Sequence, residues 1–329
     1  MTTTGSDSTR VGPPPPFDPE LAAALETMTE LPSSITADLI PVMRAGMIGR
    51  DATTEELRRG GAFEVSERPV PGPHGDIPLL VLRPAGTTGL VGAVYWIHGG
   101  GMVMGSNRGA DSTKAFDLAH ELGLAVVSVD YRLAPEHPHP VPVEECYAGL
   151  VWTVEHAEEL GVDPERIVIG GASAGGGLAA ATTLMARDLG GPALAAQLLF
   201  CPMLDDRNES ASGRQMVGLG IWDRTSNDTG WTALLGDERG GPDVSPYAAP
   251  ARATDLSGLP PTYLDVGSAE TFRDEVVAYA SAIWAAGGDA ELHVWPGGFH
   301  GFELLAPESQ LSRAAGGPRG PWLRRVLGL

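Results

Sequence analysis

The chain has 329 residues, 43% of them apolar, with a formal net charge of −20. Such a length holds two domains or one large α/β domain with insertions, and the apolar fraction supports a sizeable core. The charge argues against nucleic acid and anionic lipid as partners, and no apolar run reaches the roughly 18 residues that span a bilayer.

In chain order, Met1 to Pro16 are polar and proline-rich and lack the apolar stretch of a signal peptide, so a disordered tail on a soluble, cytoplasmic protein is expected. Asp18-Pro19 reads as an N-cap followed by proline at the first helical position, ahead of Leu21, Leu25 and Met28 at helical spacing. Leu39, Met43 and Met47 form a second stripe. Thr53-Thr54-Glu55-Glu56 reads as a capping box opening a third helix. Residues 1–60 are therefore expected to be a tail and amphipathic helices that cover something apolar.

From Phe63 the pattern changes. "FEVSERPV" and "IPLLVLRP" alternate around a turn-rich linker, as a hairpin does. Six further strand-like runs, "GAVYWIHGG", "LAVVSVDYRL", "RIVIGG", "AAQLLFCP", "PTYLDVG" and "ELHVWPG", are separated by helix-like runs. This alternation predicts a mostly parallel sheet with helices on both faces, with the hairpin at one edge. It breaks across residues 205–250, which carry no strand period and read as an insertion bearing Trp222 and Trp231. Residues 61–204 and 251–329 then form the core. Cys146 and Cys201 have neither zinc nor redox spacing and read as buried free thiols.

In an open α/β sheet, ligands bind beyond the carboxyl ends of the strands. Four features fall there. His98-Gly99-Gly100-Gly101 leaves bare backbone N–H groups after a strand, the kind of donors that acyl transfer needs for an oxyanion. Gly171-Ala172-Ser173-Ala174-Gly175 is a G-x-S-x-G turn between strand and helix, which lifts the serine hydroxyl above the sheet. Glu270 and His300 fall in loops after later strands, completing the chain order Ser, acid, His of an α/β-hydrolase triad. Asp205 is the main rival for the acid, while Asp265 lies within a strand and Asp274 a turn into the next helix. Gly175-Gly176-Gly177 also fits a dinucleotide-binding turn, with Asp205 for a ribose, but it starts inside the putative helix and leaves the other features unexplained. Asp130, Tyr131, Arg132 and Glu136 are expected to brace the glycine loop. His98 is expected to orient it, and His74, His120, His137, His139, His156 and His293 have no motif context.

Together "HGGGMVMGS", "DYRLAPEHP", "GASAGG" and "GFHGF" resemble the bacterial hormone-sensitive-lipase-like esterases, from about Pro69 to Phe302. The resemblance implies an α/β-hydrolase core, an eight-stranded and mostly parallel sheet, beneath a helical cap made of the N-terminal helices and the insertion. It implies Ser173 as nucleophile, His300 as base, Glu270 as acid, and the N–H groups of Gly100, Gly101 and Ala174 as the oxyanion hole. Two departures stand out: Ala172 occupies a place where the family usually has Asp, and the acid is Glu rather than the commoner Asp.

The expectation is a serine carboxylesterase for short- to medium-chain esters, working through an acyl-enzyme without metal or organic cofactor. Met102 and Met104 are expected to line the acyl side, with Met43, Met47 and Trp222 narrowing the pocket from the cap. A homodimer stays open. The alternatives are an amidase or peptidase on the same fold, or a non-catalytic protein that binds a small ligand.

Overall fold

The computed structural model describes residues 11–47 and 51–329, with residues 46 and 47 as backbone alone. The tail expected over residues 1–16 lies mostly outside the described residues. The eight apolar runs form eight strands: β1 (Phe63–Val70), β2 (Ile77–Pro84), β3 (Val91–Ile97), β4 (Ala125–Val129), β5 (Val162–Ala172), β6 (Ala196–Phe200), β7 (Thr262–Gly267) and β8 (Ala290–Trp295). They make one sheet in the order β1-β2-β4-β3-β5-β6-β7-β8. β1 and β2 pair antiparallel at one edge, β2 is antiparallel to β4, and every other pair is parallel.

The period of two along the strands separates two cores. Leu79, Val81, Tyr95, Ile97, Val127 and Ile169 face one side of the sheet. There they meet helices Val141–Glu155, Ala174–Asp188 and Arg273–Ala285 through residues such as Leu150, Leu184 and Ile283. Leu80, Leu82, Val94, Trp96, Val126 and Val168 face the other. Phe116 of helix Ala110–Leu122 and Trp322 of helix Arg319–Leu327 cover that side. Burial on both faces is why β3 to β7 read as continuous apolar runs.

The topology dictates where a site can form. From β3 the chain moves to β4, then returns across β3 to β5, so β4 and β5 flank β3. The order reverses there, and the crevice lies beyond the carboxyl ends of β3 and β5, at His98 and Ser173.

Two segments lie outside the alternation. Residues 201–261 join β6 to β7 and hold helices Ala211–Gln215 and Arg224–Leu235. The N-terminal segment begins with helix Pro19–Thr27, capped by the Asp18 carboxylate, which accepts from the Glu20 N–H at 2.9 Å. The capping box on Thr53 and Glu56 opens helix Thr54–Leu57 as expected. The second stripe differs. Instead of one amphipathic helix it is a 3₁₀ turn Ala37–Leu39, an α-turn Ile40–Val42 and a π-turn Met43–Met47. Pro41 offers no N–H to a continuous ladder, and the spacing of the apolar residues alone hides that interruption.

Candidate active site

The elbow at Ser173 follows from close packing. β5 ends at Ala172 and a helix starts at Ala174, so Ser173 must turn the chain within one residue. It does so at φ 57° and ψ −123°, a left-handed backbone rarely adopted by a side-chain-bearing residue. A Cβ on Gly171 would stand 2.2 Å from the carbonyl oxygen of Gly175, and one on Gly175 would stand 2.1 Å from that of Ile97. Glycine is therefore required at both positions. Gly176 and Gly177 press on Pro202 and on the Met203 carbonyl in the same way. The glycine run serves helix packing against the β6 end and leaves no space for a dinucleotide.

Two later loops bring the partners. Glu270 lies three residues beyond β7, buried, with its Oε2 accepting from the Gly267 N–H at 3.2 Å. His300 follows β8 through Gly297 and Gly298. A Cβ on Gly297 would meet the Asp18 backbone at 2.2 Å, so the N-terminal helix backs this loop. Leu21 of that helix is buried with Phe299 and Phe302. His300 Nε2 lies 2.9 Å from Ser173 Oγ, and His300 Nδ1 lies 3.2 Å from Glu270 Oε1. An ionised carboxylate only accepts, so Nδ1 carries the proton and Nε2 is free to accept from the serine hydroxyl. Phe272 meets the imidazole edge-on at 5.0 Å between ring centres.

The rival acids are engaged elsewhere. Asp205 pairs with Arg207, and Asp274 accepts from the Ser212 N–H and from Arg273. Asp265 is buried in an ion pair with Arg319, which also holds Glu303.

Among the described residues, no oxygen accepts from the N–H groups of Gly100, Gly101 or Ala174. The glycine loop is tightly wound, with the Gly100 carbonyl accepting from both Val103 and Met104. Gly100 and Gly101 take φ of 103° and 62°, and a Cβ on Gly101 would lie 2.1 Å from the Trp222 ring. Trp222 is itself held by Thr271, whose hydroxyl donates to the Trp222 carbonyl at 2.7 Å.

The loop has several braces. His98 stacks on Tyr131 at 4.3 Å, and the Tyr131 hydroxyl donates to the His98 carbonyl at 3.0 Å. Arg132 pairs with the buried Glu145, whereas Glu136 pairs with Arg44. Arg44 also donates to the carbonyls of Val103 and Ala134, at 2.6 and 2.7 Å, so the N-terminal segment grips the glycine loop directly. Its guanidinium holds the Glu136 carboxyl down at about 2. Asp111, in the first turn of the helix after the loop, accepts from the Gly99 N–H at 2.6 Å. A Cβ on Gly99 would lie 3.3 Å from both this carboxylate and the Ser173 Cβ. Asp111 thus sets a carboxylate beside the elbow, where Ala172 provides none. Neither Arg44 nor Asp111 is singled out by a motif; an acidic residue opening the helix after "HGGG" was the available signal for the second.

These groups open on a cavity of about 650 Å³. Ile35, Met43, Met104, Leu133 and Trp222 line it on the apolar side. Met102 does not: it is fully buried in the core, because the backbone takes φ 63° there and redirects a side chain that sequence adjacency assigns to the pocket. The side chain of Met47 lies outside the described residues. Cys201 is a free thiol, as expected, yet it borders the cavity rather than lying wholly within the core. Burial raises its pKa, and Glu270 and Asp265 add to the rise.

A family model described as alpha/beta hydrolase fold matches residues 94–304. The chain belongs to this family, in its hormone-sensitive-lipase-like branch. Carboxylesterase NlhH of Mycobacterium tuberculosis is 37% identical over 307 residues, covering 89% of this chain and 92% of that protein. The solved structure of a bacterial heroin esterase is 42% identical, with a TM-score of 0.83 over 94% of this chain and 98% of its own. Esterase LipW from Mycobacterium marinum is 32% identical, with a TM-score of 0.81 over 95% of this chain and 98% of its own.

Proposed function

We propose that this chain hydrolyses short- to medium-chain carboxylic esters through an acyl-enzyme on Ser173. That it is a carboxylic ester hydrolase follows from relatives with that activity that match it along nearly its whole length. The observation that carries the residue assignment is the hydrogen-bonded chain Ser173–His300–Glu270 at the cavity wall, close to backbone N–H groups without an acceptor.

In this mechanism Ser173 Oγ attacks the ester carbonyl while His300 Nε2 takes its proton. Glu270 fixes the tautomer and stabilises the imidazolium. The developing oxyanion is received by the N–H groups of Gly100, Gly101 and Ala174. His300 returns the proton to the leaving alcohol, and a water activated by the same base releases the acid. Trp222 against Gly101 and Met43 across the cavity limit acyl length. The helices within residues 1–60, which follow a tail, and the insertion 205–250 act as the cap over a core of residues 61–204 and 251–329. No helix among the described residues is long and apolar enough to cross a membrane. The same reading places the enzyme in the cytoplasm acting on small-molecule esters, with a homodimer compatible with a site built from one chain.

A series of p-nitrophenyl esters from acetate to laurate, run beside the matching anilide, tests the substrate class. Rates should peak at the short members and the anilide should be a poor substrate. A preference for laurate, or for the anilide, would overturn the assignment. Ser173→Ala should lower kcat by about 10⁶ and abolish labelling by an organophosphate. Labelling at another residue would remove Ser173 from the role.

A further inference from the structure

Beside the proposed triad stands a donor that the ester mechanism leaves unused. Cys201 follows β6, and its N–H donates to the Asp265 carbonyl at 2.8 Å, which fixes the residue against β7. One donor atom each from Cys201, Glu270 and His300 lies within 4.8 Å of the other two. All three residues border the same cavity. A thiolate, an imidazole and a carboxylate form a donor set that suits zinc and its borderline neighbours, and poorly suits magnesium or calcium.

We propose that Cys201, His300 and Glu270 form an inhibitory binding site for a divalent zinc-like cation, which silences the esterase by occupying the triad. The site rests on the triad reading for its effect on activity, but not for its ability to bind metal. A tetrahedral ion takes one donor from each residue and a water from the cavity as fourth ligand. A metal–sulfur, a metal–nitrogen and a metal–oxygen bond form, and the thiol proton leaves to solvent. No electron is transferred. The ion replaces the proton shared by His300 Nδ1 and Glu270, and that proton moves to Nε2. Nε2 then has no lone pair with which to accept from Ser173. Coordination at Nε2 itself has the same result, because the metal takes that lone pair directly. In either case catalysis stops while the fold stays intact.

The test titrates zinc chloride into the full-length enzyme during ester hydrolysis, with each variant referred to its own zinc-free rate. Zinc should inhibit, a chelator should restore activity, and Cys201→Ser should raise the half-inhibiting concentration by at least about 10-fold, the loss that removal of even an outer partner brings. Cys201→Ala serves if the serine variant does not fold. Equal sensitivity of the wild type and the cysteine variant sinks the proposal. Cobalt(II) added to Ser173→Ala separates the site from the catalytic reading. A thiolate-to-cobalt charge-transfer band that disappears when Cys201 is also replaced supports the site, whatever the enzyme does to esters. Bound cobalt without that band overturns it.

Discussion

At the scale of single residues, two carboxylates take different parts. Glu270 faces His300 Nδ1 and accepts its proton in a hydrogen bond of 3.2 Å. Glu270→Gln keeps the shape but introduces an amide N–H₂ that can itself donate to Nδ1. That stabilises the tautomer with the proton on Nε2, which cannot act as base toward Ser173. We expect kcat to fall by about 10⁴, the size of effect seen when a triad carboxylate becomes an amide, with KM little changed. A fall of less than tenfold would assign the acid elsewhere, with Asp205, the main rival, next to be replaced. Asp111 works at one remove: its carboxylate holds the Gly99 N–H at 2.6 Å, directly before the two proposed oxyanion donors. Asp111→Ala leaves that N–H without its acceptor and frees the loop to shift. A charge-assisted hydrogen bond contributes about 1.5–3 kcal/mol, so kcat should fall by roughly 10–10². Steady-state kinetics with one acetate ester measures it, and an unchanged kcat would make Asp111 a mere helix-start residue.

At the scale of elements, the N-terminal segment and the insertion are sewn together by Asp223. Its carboxylate caps helix Arg224–Leu235 by accepting from the Ser226 N–H at 2.8 Å. It also accepts from the Ser34 hydroxyl and the Gly218 N–H, at 2.8 and 2.9 Å. Burial pushes its pKa up, but the N–H donors of Ser226 and Gly218 and the hydroxyls of Ser34 and Ser226 outweigh that, and it sits below the usual carboxylate value. Asp223→Asn turns one acceptor into a donor aimed at another donor, and should lower stability by about 1–3 kcal/mol. A lowered folded pKa means stability present above the unfolded value and lost as pH falls through the folded one. The gap in Tm between the two proteins should therefore close below about pH 4. A gap that persists in acid would show that packing rather than charge holds the two segments.

The elements themselves were the most legible part of the sequence. Strands buried on both faces are apolar throughout, and β1 and β2 match the alternating runs to the residue. The loops that carry Ser173, Glu270 and His300, the proposed triad, were legible because each follows a strand. What escaped depends on backbone detail or distant pairing. Leu39, Met43 and Met47 kept helical spacing although the backbone breaks into three turns. Met102 adjoins the glycine loop yet is carried into the core by a positive φ. The pairs Arg44–Glu136 and Thr271–Trp222 join residues 92 and 49 positions apart, and no local pattern encodes them.

At the scale of the whole molecule, the carboxyl-terminal helix closes the sheet through one buried cation. Arg319 is 8% exposed, lies 3.8 Å from the centre of the Phe200 ring, and pairs with Asp265 of β7 and Glu303 just past His300. It thereby ties the last helix, the strand that leads to Glu270 and the loop that carries His300. Arg319→Met keeps much of the apolar stem but strands the Asp265 carboxylate, which is 3% exposed. Breaking a buried pair from one side is destabilising by about 3–5 kcal/mol, because the remaining charge is left unpaired. The variant also tests the cause through pH. Even with Arg319 present, burial raises the pKa of Asp265, with Arg319 opposing the rise. Without Arg319 the rise is larger, so the folded variant binds protons that the unfolded chain releases. A raised folded pKa places the full stability below the unfolded value, and that stability is lost as pH rises through the folded one. The Tm deficit of Arg319→Met should therefore be small in mildly acid buffer and grow toward alkaline pH. A deficit equal at both would mean that Arg319 acts through its packing on Phe200, and that the charges of Asp265 and Glu303 do not depend on it.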